Sequence, residues 1–189
     1  MLSFSASINN DKVGALLFSD RVEKFIPPKK GRSHLLHIIR DLVEFTPRDR
    51  GTDIGEALRY MTNALKKRCT AFLISDMMDT DAEGRPRWEE ALKIAANRHD
   101  LSVINIYDRR EKELPNLGLV RVRDAETGAT AWVDTSSKRM RTEYEKRARK
   151  ADEDCRQLLG KYRIDNVSIA TDDDYVKNLT GFFKNRGLK

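Results

Sequence analysis

The stretch from Gly51 to Asp76 constrains the fold more than any other part of this sequence. A tight loop, Arg50-Gly51-Thr52-Asp53, opens an amphipathic helix that runs to about Lys67, and a short apolar strand, Ala71–Ser75, follows and ends on Asp76. The buried stripe of the helix consists of apolar residues at helical spacing: Ile54, Ala57, Leu58, Met61 and Leu65. A helix that leads into a short buried strand predicts a βαβ unit.

Helices and strands alternate along much of the remaining chain. A helix at Trp88–Asn97 leads into a second buried strand, Leu101–Tyr107, which ends on Asp108. The other predicted elements are a hairpin of Lys12–Ser19 with Val22–Ile26, a helix at Arg32–Val43, a hairpin of Leu119–Arg123 with Thr130–Asp134 around Ala125-Glu126-Thr127-Gly128, a helix at about Lys138–Tyr162, a strand at Asn166–Ala170, and a last helix with Tyr175, Leu179, Phe182 and Phe183 on its apolar face. The pattern predicts an α/β fold with a mostly parallel sheet, flanking helices and an inserted β-hairpin.

The bulk properties indicate a cytoplasmic protein of one domain, residues 1–189. The two cysteines, Cys69 and Cys155, are far apart and are typical of a reducing compartment. No apolar run reaches membrane-spanning length, and the N-terminus lacks the features of a signal peptide, so we expect no membrane insertion.

The net charge of +6 permits acidic partners, yet basic and acidic residues are interleaved, as in Lys138–Glu153. Interleaved charge is typical of a solvated helix face rather than a phosphate-binding stripe. The sequence therefore predicts no binding of nucleic acid.

Thr52 and Asp76 are the candidate metal ligands. Ligands of open α/β sheets bind at the carboxyl ends of strands, so these two residues are expected to lie close together. A hydroxyl and a carboxylate are oxygen ligands that suit a hard cation such as Mg²⁺. Two plainer interpretations remain open: Asp53 and Glu56 fit a capping box at the start of the helix, and Asp76 starts a turn.

A second acidic pattern follows Asp76. Asp79, Asp81 and Glu83-Gly84, with Glu90 beyond them, satisfy most of the spacing of a calcium-binding loop. Such a loop should follow a helix, whereas this one follows a strand, and Pro86 interrupts it. A polar loop before the next helix is the better interpretation.

Several short phrases occur in a characteristic order along the whole chain. They are Asn-Asp-Lys-Val-Gly (10–14), Leu-Phe-Ser-Asp (17–20), Arg-Gly-Thr-Asp (50–53), Leu-Ile-Ser-Asp (73–76), Arg-His-Asp (98–100), Asp-Ala-Glu-Thr-Gly (124–128), Val-Asp-Thr-Ser (133–136) and Thr-Asp-Asp-Asp-Tyr-Val (171–176). With these phrases the chain closely resembles the bacterial domain-of-unknown-function family fifty-eight, which is similar to von Willebrand factor A domains and is often encoded beside MoxR-type AAA+ ATPases.

The resemblance implies a metal-ion-dependent adhesion site. Thr52 matches its second element and Asp76 its third, but the first, an Asp-x-Ser-x-Ser loop, does not occur in this sequence. Three of the five expected side chains are therefore missing, and we expect weak or no Mg²⁺ binding by this chain alone.

The resemblance also implies that the chain is incomplete at its N-terminus and lacks the first central strand of the sheet. That strand would lie between Val13–Ser19 and Ala71–Ser75. Because unpaired strand edges promote association, we expect either that these two strands close the gap or that a partner chain fills it, self-association included.

The leading functional hypothesis is a non-enzymatic interaction domain that acts as an adaptor with a MoxR-type ATPase. Its contact face would be built from the loops at Asp20, Thr52, Asp76 and Asp108. The alternative is a magnesium-dependent phosphoryl-transfer enzyme that uses the aspartates at the strand ends.

Overall fold

The computed structural model describes residues 2–49, 51–123 and 128–187. Its helices are α1 (Leu2–Ile8), α2 (Arg32–Glu44), α3 (Ile54–Ala64), α4 (Glu89–Arg98), α5 (Lys138–Lys161) and α6 (Tyr175–Gly187). Its strands are β1 (Val13–Phe18), β2 (Val22–Lys29), β3 (Thr70–Ser75), β4 (Asp100–Tyr107), β5 (Leu119–Arg123), β6 (Thr130–Asp134) and β7 (Asp165–Ala170). No helix among these residues has both the length and the apolar character needed to cross a bilayer.

The strands form three separate sheets. β3, β4 and β7 make a parallel sheet with β4 in the centre, whereas β1–β2 and β5–β6 are antiparallel hairpins. The predicted α/β class, the parallel sheet with flanking helices and both hairpins are therefore confirmed.

The central strand β4 has core on both of its faces, which explains its almost unbroken apolar sequence. Leu101 and Val103 lie in the larger core, and Ile104 lies in the smaller one. The larger core consists of Ile54, Leu58, Leu73, Met77, Trp88, Ala91, Leu92, Ala95, Leu101, Val103, Leu159 and Ile164. The smaller core consists of Ile104, Ile169 and Leu179, with Leu2, Phe72, Val167 and Phe183 packed against it. Helices thus cover the parallel sheet on two sides.

In the described structure β1 and β3 do not close the gap between them, which was one of the two outcomes that we expected; filling of the gap by a partner chain stays a prediction. Among the described residues, β1 has β2 as its hydrogen-bonded neighbour strand, β3 has β4, and no ladder joins β1 to β3. The β1–β2 hairpin is instead held by side chains, since Phe18 packs against the larger core, and by one backbone bond from Asp53 to Ser19. Packing against α3 therefore positions β1 without the strand pairing that we expected.

Smaller differences concern helix ends. The helix α3 ends at Ala64 rather than about Lys67, and Tyr175 is exposed at the start of α6 although its spacing predicted a core position. Within the hairpin turn at Ala125-Glu126-Thr127-Gly128, the first three residues lie outside the described part of the chain, as does Arg50 in the first predicted loop.

A buried histidine lies at the opposite end of the sheet from the candidate metal ligands. His99 ends α4, and its Nδ1 atom lies 3.4 Å from the Sγ atom of Cys69. The Nε2 atom is buried, with no hydrogen-bond partner among the residues that the structure describes. Burial, and then the charge of Arg98, lower the pKa of His99 below its ordinary value of 6.5.

This pKa shift predicts that the protein loses stability in acid. The unfolded chain takes up a proton on His99 near pH 6.5, whereas the folded chain does so only at lower pH, so the free energy of unfolding falls as the pH drops through about 6.5. We expect His99→Gln to lose less stability than the wild type between about pH 7.5 and about pH 5.5. Denaturant titrations at both pH values measure this difference, with His34→Gln as the control. Equal pH dependence of the wild type and His99→Gln would contradict the assignment.

Candidate functional site

The loop that carries Thr52 is fixed at the end of β1 and the start of α3. The backbone N–H of Asp53 donates to the carbonyl of Ser19 at 2.8 Å. The carboxylate of Asp53 accepts from the backbone N–H of Glu56 at 2.6 Å and so caps α3. Asp53 therefore performs the capping role that the sequence allowed, and Thr52 is half-buried before it.

The residue that organises this region is Asp79, in the loop between β3 and α4. Its side chain is fully buried. One carboxylate oxygen accepts from the backbone N–H of Ile54 at 2.9 Å, and the other accepts from Nε of Arg87 at 2.5 Å. Arg87 in turn donates to the backbone carbonyl of Thr52 at 2.9 Å. Asp79 and Arg87 thus join the loop after β3 to the Thr52 loop.

Sequence reasoning placed Asp79 in a calcium-loop pattern and missed this role. The sequence did contain a signal: Asp79 lies between an apolar strand and Arg87. Arg87 precedes Trp88, and Trp88 is buried. A buried carboxylate needs hydrogen-bonded partners, and the structure supplies them from two segments that the sequence alone does not bring together.

Asp76 remains exposed at the carboxyl end of β3 and forms a turn. Its Oδ1 atom accepts from the backbone N–H of Met78 at 3.1 Å and from the Ser75 hydroxyl at 3.4 Å. Met77, which lies between Asp76 and Met78, has a φ angle of 62° and a buried side chain. The left-handed backbone at Met77 accompanies a Met77 side chain that points into the core, while Asp76 stays at the surface. The turn interpretation of Asp76 therefore matches its contacts.

The structure joins the Thr52 and Asp76 segments indirectly. Asp79 and Arg87 connect them, and in the described part of the chain no hydrogen bond links the two side chains. Within those same residues, no three or more His, Cys, Asp or Glu side chains are grouped so as to hold a metal. Thr52 and Asp76 supply the oxygen donors that Mg²⁺ prefers, but two donors leave most of its octahedral shell to water. Metal binding at Thr52 and Asp76 therefore stays a prediction.

The carboxylates of the calcium-loop pattern do not converge. Asp79 is turned inward, whereas Asp81 closes its own turn by accepting from the backbone N–H groups of Glu83 and Arg85 at 3.0 and 2.8 Å. Arg85 and these backbone bonds hold the pKa of Asp81 below its usual value. The polar-loop interpretation is therefore the one that the contacts support.

The aspartates after β1 and β4 are also engaged locally. The guanidinium of Arg21 lies 2.9 Å from Asp20 and 2.6 Å from Asp49, and its hydrogen bond lowers the pKa of Asp20. Asp108 accepts from the backbone N–H of Arg110 at 2.8 Å and starts a short 3-10 turn. The loops at Asp20 and Asp108 are therefore ordered by local interactions, whereas the Thr52 loop and the loop after β3 are joined by Asp79 and Arg87.

An open cleft of about 750 Å³ lies beside Thr52. It is lined by Phe18, Ser19, Phe45, Pro47, Asp49, Gly51, Thr52 and Arg123. Arg123 comes from β5, so the second hairpin reaches the same cleft as the Thr52 loop. The cleft is thus bounded by the first hairpin, the Thr52 loop and the second hairpin.

These features define an α/β protein with a three-stranded parallel sheet and an open cleft between its two hairpins. The sequence profile described as "Protein of unknown function DUF58" matches residues 1–154, and the chain therefore belongs to that family.

Bacterial relatives of unknown function support this assignment. An uncharacterized protein of Mycobacterium avium is 28% identical over 165 residues, which cover 85% of this chain and 93% of that protein. An uncharacterized protein of Mycobacterium tuberculosis is 24% identical over 187 residues, which cover 98% of this chain and 57% of that protein. The chain thus spans little more than half the length of the M. tuberculosis relative.

Two solved structures share the fold. The conserved hypothetical protein BatB from Bacteroides thetaiotaomicron gives a TM-score of 0.54 at 19% identity, covering 95% of this chain and 81% of that one. An aerotolerance-related membrane protein from Bacteroides fragilis gives a TM-score of 0.50 at 17% identity, covering 93% and 80%. At such identities the likeness concerns the fold alone.

Loss of the Asp79 carboxylate should destabilise the protein. Asp79→Ala leaves the guanidinium of Arg87 and the N–H of Ile54 without their acceptor, and we expect a loss of about 2–4 kcal/mol in the free energy of unfolding. Asp79→Asn keeps an acceptor and should lose less. Urea titration measures both, with Asp81→Ala in the same loop as a control of smaller effect. A loss for Asp79→Ala no greater than that for Asp81→Ala would show that the buried network is not needed.

Proposed function

We propose that this chain is a non-enzymatic protein-interaction domain whose contact face is formed by the loops at the carboxyl edge of the parallel sheet. The observation that carries the proposal is the buried contact of Asp79 with Arg87 and Ile54, which holds the Thr52 loop while Asp76 stays exposed. A rigid support beneath exposed polar groups lowers the entropic cost of binding a partner.

The finer fold assignment belongs to the same proposal. The parallel order β3-β4-β7 and the helices on both sides of this sheet are compatible with a von Willebrand factor A-like fold. The fold-level similarity to BatB supports an α/β arrangement of this kind. In this assignment the face at Asp20, Thr52, Asp76 and Asp108 is where a partner docks.

Thr52 and Asp76 would hold Mg²⁺ weakly through a hydroxyl and a carboxylate. When bound, the ion would supply an open position that prefers an oxygen ligand, such as a carboxylate of the partner. The bond of Arg87 to the Thr52 carbonyl and the turn at Asp76 hold the two backbone segments that carry these donors. The partner carboxylate would complete a donor set that this chain supplies only in part.

The partner that we propose is a MoxR-type AAA+ ATPase, with this domain as the adaptor between the ATPase and its client proteins. The proposal follows from the resemblance to a family that is often encoded beside such ATPases. An adaptor binds its partners, so in this role the strand-end aspartates would contact the partner rather than perform chemistry.

The test is capture of a MoxR-type ATPase from the same genome by the immobilised chain in the presence of Mg²⁺. We expect Thr52→Val and Asp76→Asn each to weaken capture roughly tenfold, because each removes an oxygen donor of the metal contact. Chelation of Mg²⁺ should have the same effect. Asp154→Asn is the matched control, since Asp154 is an exposed aspartate on α5. Capture that is absent, or equal for all four proteins, would contradict the proposal.

The unpaired edges of β1 and β3 support a second kind of contact, which is self-association by strand pairing. Both strands have one paired edge in the described structure, and a free edge offers backbone N–H and C=O groups to another chain. Ile74 on β3 is 50% exposed and adds an apolar contact there. This contact does not depend on Thr52 or Asp76.

We expect the chain to form a dimer whose population rises with concentration, and Ile74→Lys to weaken it, because a charge on an edge strand opposes edge-to-edge pairing. Sedimentation velocity over a concentration series measures the effect. Ile94→Lys is the matched control, since Ile94 lies on α4 and is 49% exposed. A monomer at all concentrations, or an equal effect of both substitutions, would exclude association through this edge.

A further inference from the structure

The β5–β6 hairpin projects from the body and is anchored at its base. It forms a sheet of its own, and in the described structure neither strand pairs with any other. At the base, Thr135 is fully buried, its hydroxyl donates to the carbonyl of Gly118 at 2.7 Å, and it accepts from the N–H of Leu117 at 2.8 Å. Arg141 of α5 donates to the carbonyl of Thr135 at 2.6 Å. The base is therefore fixed, and the far end of β5 reaches the cleft beside Thr52 through Arg123.

The two faces of the hairpin differ in an unusual way. Residues directly opposite each other in the register share a face, so Arg121 lies beside Trp132, and Val120 lies beside Val133 on the other side. The valines are half-buried, whereas Trp132 is 67% exposed. The largest side chain of the hairpin thus faces solvent. We call this exposed side the hairpin face; its residues are Leu119, Arg121, Arg123, Thr130, Trp132 and Asp134.

The hairpin face carries an ordered row of groups along β5. Arg123, Arg121 and Leu119 occupy alternate positions, so their side chains follow one another at intervals of about 7 Å. Neither arginine has an ion-pair partner among the described residues. The one acid of this face in the described chain, Asp134, is held by the backbone N–H and hydroxyl of Ser136, which lower its pKa.

We propose that the hairpin face binds an extended acidic segment of a partner protein. The complementary segment has acidic residues at two alternate positions and an apolar residue at the next alternate position, which match Arg123, Arg121 and Leu119 in turn. Trp132, which lies opposite Arg121 in the register, would cover the stem of the acid bound there. Tryptophan and arginine are the residues most enriched at binding hot spots, and arginine binds carboxylates in bidentate geometry.

Other anionic partners fit this surface less well. Nucleic acid needs a longer basic track with stacking platforms, whereas this face has two arginines and one tryptophan. Binding to an anionic bilayer relies on clusters of about four to eight basic residues, which this face lacks. A short acidic protein segment is the partner whose charge and size match the face.

This inference deepens the proposed interaction function and rests on it only in that the partner is a protein, because the hairpin face needs no metal. Arg123 also lines the cleft beside Thr52. The acidic segment would therefore lie next to the face at the carboxyl edge of the sheet, as an additional anchor for the same partner.

The first experiment is selection of a phage-displayed library of random linear peptides on the chain in a chelating buffer. Peptides that also bind the Arg121→Glu/Arg123→Glu variant are removed. We expect the remaining sequences to be enriched in the pattern acid, any residue, acid, any residue, apolar. Remaining sequences that are basic or neutral, or the absence of any hairpin-dependent peptide, would overturn the proposal.

Binding of the best peptide is then measured by tryptophan fluorescence. The chain has two tryptophans, and Trp88 is 1% exposed, so a shift to shorter wavelength on binding reports on Trp132. We expect Arg121→Glu/Arg123→Glu to weaken binding roughly tenfold or more, and a peptide with lysine in place of its acids to bind this variant better than it binds the wild type. Arg149→Glu, an exposed arginine on α5, is the control and should bind like the wild type.

The same fluorescence readout separates the other partners. Hairpin-dependent binding of oligothymidylate or of phosphatidylglycerol vesicles, without peptide binding, would overturn the proposal in favour of that partner. Peptide binding by the hairpin together with failure of ATPase capture would keep this inference and reject the ATPase as partner. ATPase capture that depends on Thr52 and Asp76, together with the absence of hairpin-dependent peptides, would keep the ATPase as partner and reject this inference. Far-ultraviolet circular dichroism checks that each variant is folded.

Discussion

The carboxylate of Asp79 is the interaction on which the arrangement of the carboxyl edge depends. A carboxylate removed from water is tolerated only when hydrogen bonds and an opposite charge replace its hydration. Asp79 obtains both, from the N–H of Ile54 and the guanidinium of Arg87. Charge-assisted hydrogen bonds of this kind contribute about 1.5–3 kcal/mol each. Because Arg87 also binds the carbonyl of Thr52, the same network sets the position of the Thr52 loop.

The first hairpin depends on this support because no strand ladder connects β1 to the parallel sheet in the described structure. Two of its connections are the packing of Phe18 against the larger core and the bond from Asp53 to Ser19. Both involve the region at the start of α3. The frame that holds Thr52 therefore also holds the end of β1, and the cleft between them keeps its shape while β1 and β3 have free edges.

The sequence allowed the secondary structure to be predicted because local patterns determine most of it. Continuous apolar runs identified β3 and β4, since both faces of β4 are buried. The helix and strand boundaries differ from the prediction by a few residues, as in α3, whose last predicted turn is absent. Tyr175 was misplaced because helical spacing identifies a face but does not show that the first turn of α6 lies beyond the core.

The roles of the acids after β3 could not be predicted in the same way. Asp76 and Asp79 are both carboxylates that follow an apolar strand. The left-handed conformation of Met77 decides which of them faces inward, and a non-glycine residue gives no local sign of that conformation. The position of Asp76 directly after β3 made it the candidate ligand, whereas the buried contacts belong to Asp79. Only the tertiary structure reveals that Arg87 and Ile54 are near enough to receive this carboxylate.

The two tryptophans show how support and recognition are divided in this protein. Trp88 is buried directly after Arg87 and fixes the end of the loop that carries the Asp79 network. Trp132 is exposed on the hairpin, outside that network. Arg123 and Thr52 line one cleft, so a partner bound to the hairpin would also lie against the Thr52 loop. Because Asp79 holds this loop from beneath, such a partner would meet a surface that is already formed, and little binding energy would be lost in ordering it.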